Sequence, residues 1–74
     1  MVESAVILVH TTSHAVAAER VLRQAGLQVK LVPTPRHLSS DCGMAVRILA
    51  GEQSACQRAL EVAGVLYDRM ETIV

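Results

Sequence analysis

A small α+β fold around one four-stranded antiparallel sheet is what this chain predicts, on three observations. Its 74 residues leave room for one sheet and one layer of helices, and a chain of this size buries only roughly 60% of the surface its unfolded form exposes. Its apolar residues switch between alternation and helical spacing in the order strand, helix, strand, strand, helix, strand. Glycine or proline stands at most of the switches. A composition of 51% hydrophobic and 19% charged residues excludes a disordered tail, and with Tyr67 as the only aromatic the core must be built from Val, Leu, Ile, Ala and Met.

Each element has its own reason. Ala5-Val6-Ile7-Leu8-Val9 is continuously apolar and β-branched, as a central strand is. His10-Thr11-Thr12-Ser13 supplies N-cap hydroxyls for a helix from about Ser13 to Ala25, whose stripe is Ala15, Ala18, Val21, Leu22 and Ala25. Gly26 follows as a residue free to take positive φ. Leu27 to Val32 alternates and ends at Pro33. Residues 33–43 form a polar loop of eleven, longer than the usual 4–6 and with room for one helical turn over Leu38 to Asp41. Met44 to Leu49 alternates again, and Gly51 breaks it. A second helix over Glu52 to Ala63 carries the stripe Ala55, Cys56, Ala59, Leu60 and Ala63, and Gly64 caps it. Val65 to Val74 closes the chain as an edge strand interrupted by Asp68, Arg69 and Glu71.

In a single domain spanning residues 1–74 this order is the ferredoxin-like βαββαβ sandwich, with strand order 4-1-3-2 and both helices on one face. The uncovered face is expected to carry Ala5, Ile7 and Val9, with Val32, Ala45 and Leu49, and to pack against a second copy as a homodimer.

Several functions are disfavoured. Seven basic and seven acidic residues balance, and no stacking aromatics are present, so nucleic acid is not an expected partner. The longest apolar run is far short of the roughly 20 residues of a membrane span and lacks the basic flank of a signal peptide. A cytoplasmic protein that does not bind membranes follows as the expectation, with its two cysteines as thiols.

Connectivity brings the ends of the first two strands to one edge of the sheet. His10, Thr11, Thr12, His14, Arg36, His37, Asp41 and Cys42 gather there, on loops above a rigid scaffold. Cys42 stands out, because a helix N-terminus and the basic Arg36, with His37 or His10, favour a thiolate able to attack or carry sulfur or selenium. The competing reading is a small residue that closes the loop. Pro33-Thr34-Pro35 stiffens the arm that holds Arg36. Cys56, on the apolar stripe, is expected to be inert. The three histidines and Cys42 have the ligand types of a metal site, but their spacing matches none of the usual patterns, so neither metal nor cofactor is expected.

His10-Thr-Thr before a helix, and Pro33-x-Pro35-Arg36-x-Leu38-Ser39-x-x-Cys42-Gly43 ahead of the third strand, resemble the DUF3343 family of selenium/sulfur (Se/S) carrier protein-like chains over nearly the whole length. The resemblance implies that Cys42 is the carrier cysteine and that Pro35, Arg36, Ser39 and Gly43 are its surrounding loop. Cys56 has no counterpart in that pattern. Two function classes therefore stand beside each other. One is a carrier, rather than a turnover enzyme, that takes sulfur or selenium from a donor protein and passes it to an acceptor. The other is a regulatory or interaction module that binds a small anion or a partner at the same edge.

Overall fold

The computed structural model describes residues 3–38 and 42–73. Strand β1 (Ser4–Leu8) leads into helix α1 (Thr12–Gln24), then strands β2 (Val29–Pro33) and β3 (Met44–Leu49). A 3₁₀ turn over Ala50–Glu52 precedes helix α2 (Gln53–Ala63), and β4 (Arg69–Ile73) follows. The sheet order is β2-β3-β1-β4, which is the expected 4-1-3-2 read from the other edge. Every neighbouring pair is antiparallel, so β1 and β2 run in the same direction with β3 between them.

Local chemistry sets the helix ends. Thr11 takes an extended φ of −141° and its side chain accepts a hydrogen bond from the His14 N–H, satisfying one of the orphan donors of the first turn. Gly26 and Gly64 have φ of 81° and 72°, a left-handed conformation in which a Cβ is strained, and each ends its helix. Pro33 is the last residue of β2 rather than its terminator. Its missing N–H is harmless because β2 is an edge strand. β4 is the other edge, as its charges suggest, although it begins at Arg69 rather than Val65.

The main core lies between the sheet and both helices. Ala5, Ile7 and Val9, with Val46 and Ile48, pack with Ala15, Ala18 and Leu22 of α1 and Cys56 and Leu60 of α2. Ala25, Ala55 and Ala63 of the expected stripes are exposed. The expected outward face is therefore corrected on β1: Ala5, Ile7 and Val9 face the helices, and Val6 and Leu8 face away. Continuous apolarity from Ala5 to Val9 carries no alternation that could choose between the two parities.

The outer face holds a second cluster of Val6, Leu8 and Ala45, against which Val32, Leu38 and Ile73 pack. Val32 and Ala45 stand where expected, and Leu49, paired with Ser4, shares that side. Val6, Leu8 and Ala45 have no solvent exposure, partly because Leu38 from the β2–β3 loop lies on this cluster. Among the described residues the large exposed apolar side chains are Val16, Val62 and Leu66, none of them on the outer face. The apolar part of the outer face left for a second copy to cover is thus Val32, Leu38, Leu49 and Ile73, each partly exposed.

Candidate functional site

The β1–β3 register explains how the site assembles. Leu8 pairs with Ala45, so the chain leaving β1 upward and the chain entering β3 from above lie side by side. Thr12 opens α1 on one side, and Cys42 precedes β3 on the other. Their side chains meet: Thr12 Oγ1 lies 3.6 Å from Cys42 Sγ, with either atom able to donate. The Met44 backbone N–H donates to the same sulfur at 3.4 Å.

The loop is pinned at its base. Thr34 N donates to the Gly43 carbonyl oxygen at 2.9 Å, extending the β2–β3 ladder one step past Pro33 and Met44. Thr34 Oγ1 donates to the Cys42 carbonyl oxygen at 2.9 Å. Further out, Leu38 N donates to the Pro35 carbonyl oxygen at 3.1 Å, closing a turn with Arg36 and His37 at its exposed centre. The described turn spans Pro35 to Leu38; the helical turn expected over Leu38 to Asp41 falls, beyond Leu38, outside the described residues.

Cys42 differs from expectation in one respect. It is 7% exposed and belongs to the main core cluster, so it is a nearly buried thiol and not an exposed loop cysteine. Side-chain direction explains this: polar residues precede it in sequence, but its side chain packs in the core and meets Thr12 of α1. Cys56 is fully buried on α2, and burial, reinforced by the nearby Glu52 carboxylate, pushes its thiol above the ordinary value. Both cysteines are free thiols.

The other expected site residues divide. Thr12 reaches the sulfur, Thr11 caps the helix beneath it, and Gly43 and Pro35 shape the loop. His10, Arg36 and His37 are exposed at the same edge. Arg36 has no hydrogen bond or ion pair among the described residues, so the structure does not join it to Cys42. Ser39 and Asp41 lie outside the described residues. The sequence reading missed Thr34, whose hydroxyl holds the Cys42 backbone. Its place between two prolines, which cannot donate, was the available signal: Thr34 alone in that triplet has a backbone N–H to give to the strand opposite. Among the described residues no three His, Cys, Asp or Glu side chains are grouped to hold a metal ion. No described helix is long and apolar enough to cross a membrane.

The Cys42 sulfur thus lies beside the first residue of α1, in hydrogen-bond contact with a backbone N–H and a hydroxyl. The family described as "Putative Se/S carrier protein-like" matches residues 4–70, and the chain belongs to it. No curated protein and no solved structure matches the chain.

Proposed function

We propose that this chain is a sulfur or selenium carrier on a single ferredoxin-like domain, and that Cys42 is the thiol that holds the cargo. The observation that carries the reading is the pair of contacts at Cys42 Sγ, from Met44 N–H and Thr12 Oγ1. In the loading step the Cys42 thiolate attacks the terminal sulfur of a persulfide on a donor protein. A sulfur–sulfur bond forms at Cys42, the donor's sulfur–sulfur bond breaks, and the donor cysteine leaves with the electron pair as a thiolate. The sulfane sulfur keeps its oxidation level, so no external oxidant or reductant enters. Selenium transfers by the same displacement. Delivery is the reverse step, with an acceptor thiolate attacking the terminal atom.

The roles divide among residues. Met44 N–H and Thr12 steady the negative charge on sulfur, and Thr34 and Gly43 fix the backbone that presents it. Arg36 offers positive charge at the edge a partner must approach, where His37 and His10 are also exposed, with Pro35 stiffening the turn; Ser39, which the family pattern marks, lies outside the described residues. A cytoplasmic location, with soluble donor and acceptor proteins as partners, completes the reading.

The near-burial of Cys42 favours a second reading, a regulatory or interaction module in which Cys42 closes the loop and the exposed edge binds an anion or a partner. Loading with glutathione persulfide, read by intact mass, separates the two. A carrier gains one sulfur atom as the chain and as Cys56→Ser, and gains none as Cys42→Ser. A module gains none at Cys42 in any form.

A further inference from the structure

On the outer face, at the end of the sheet away from Cys42, a groove of about 470 Å³ is lined by Ser4, Gln28, Lys30, Arg47 and Leu49 among others. Lys30 and Arg47 are direct cross-strand partners, so two cations stand opposite each other on one face. Like charges in that position are destabilising. Nothing among the described residues neutralises them: the ion pairs there involve Arg23 and Arg69, and neither the Lys30 nor the Arg47 side chain has a hydrogen bond or ion pair. The acid in the same cross-strand row is Glu71, separated from Arg47 by Val6 and lying 3.5 Å from Arg69. Glu3 adjoins Ser4 but has the opposite strand parity.

The lining is made for one kind of ligand. Among the described residues no carboxylate lines the groove. Its polar side chains are an ammonium, a guanidinium, a hydroxyl and a carboxamide, all able to donate. Two fixed positive charges match a dianion, and the guanidinium fork can take two oxygens of one group at once. We propose that this groove binds a phosphate group held between Lys30 and Arg47, with Ser4 and Gln28 donating to its remaining oxygens. The groove exceeds one phosphate in volume, so the group comes either as free phosphate or as the end of a larger molecule. The site is separate from Cys42, and its fate does not depend on the carrier reading.

Amide chemical-shift titration of the whole chain tests it, with inorganic phosphate and ribose 5-phosphate as probes and sodium chloride at matched ionic strength as the control. Saturable shifts at Ser4, Gln28–Lys30 and Arg47–Leu49 are expected with a phosphate probe and not with chloride. Saturation by both probes assigns free phosphate as sufficient, and saturation by ribose 5-phosphate alone assigns a phosphorylated small molecule. Lys30→Gln and Arg47→Gln should each weaken binding about tenfold, the loss of one charge-assisted contact. Without phosphate, Lys30→Gln should raise the melting temperature by relieving the repulsion. Equal shifts with chloride, or variants that bind phosphate as the parent does, would overturn the proposal. So would concentration-dependent shifts at these residues without phosphate, which would assign the pair to the carboxylate of a second copy.

Discussion

Alkylation of the two cysteines in the folded chain should differ by about 30-fold, with Cys42 the faster, and the difference can be worked from their surroundings. Cys56 is fully buried beneath α2, between the helix and the sheet, so a reagent reaches it only when that helix leaves the core. In a domain near the lower end of the usual stability range, about 5 kcal/mol, that opening is populated to about 2 parts in 10⁴. Cys42 needs only release of the loop. The release breaks the two hydrogen bonds of Thr34 and withdraws Leu38 from the outer cluster. At about 1 kcal/mol for each of those three losses, loop release costs about 3 kcal/mol. The 2 kcal/mol difference corresponds to about 30-fold in reactive population, since about 1.4 kcal/mol is tenfold. The assay is iodoacetamide labelling under native conditions, followed by peptide mass analysis against time. Equal rates, or a faster Cys56, would refute both the opening argument and the choice of Cys42 as the accessible thiol.

Further expectations follow from the same contacts. Thr34→Val removes the hydrogen bond to the Cys42 carbonyl, so it should cost about 1 kcal/mol in urea unfolding and speed Cys42 labelling about fivefold; no change in either would remove Thr34 from the site. Cys56 binds its proton more tightly folded than unfolded, so its contribution to stability is full below its ordinary value of 9.0 and is lost as pH rises through the folded value. Unfolding midpoints should therefore fall above about pH 9, less steeply in Cys56→Ala, and identical slopes would contradict the assignment. With Val6, Leu8 and Ala45 already covered, sedimentation at micromolar concentration should show a monomer, and a dimer dissociated by Val32→Glu would show that the outer face pairs after all.

Much of the architecture was legible because its signals are local. Met44 to Leu49 places Met44, Val46 and Ile48 on one face and Arg47 on the other, and it forms β3 with those bounds. The hydroxyls before α1 and the glycine after α2 are cap chemistry written at single positions. Where the signal depends on partners it was weaker. β2 starts two residues later than its alternation because pairing with β3 begins only where Val29 meets Ile48. The orientation of Ala5 to Val9 could not be read, since both parities are apolar and the choice is made by which side the helices cover. Cys42 showed the same limit at the site. Its edge, its neighbour Thr12 and its place before β3 follow from connectivity. Its burial depends on a side-chain direction that the polar residues before it conceal.

The central claim is that Cys42 carries the chalcogen. Intact mass of the chain isolated from its native cells under non-reducing conditions, with peptide mapping of the adduct, tests it most directly. The account predicts a population heavier by one sulfur or one selenium atom, the latter marked by its isotope pattern, with the addition mapped to Cys42 and released by a reducing thiol. An adduct confined to Cys56, or a chain uniformly of unmodified mass while its cells are actively transferring sulfur and selenium, would contradict it.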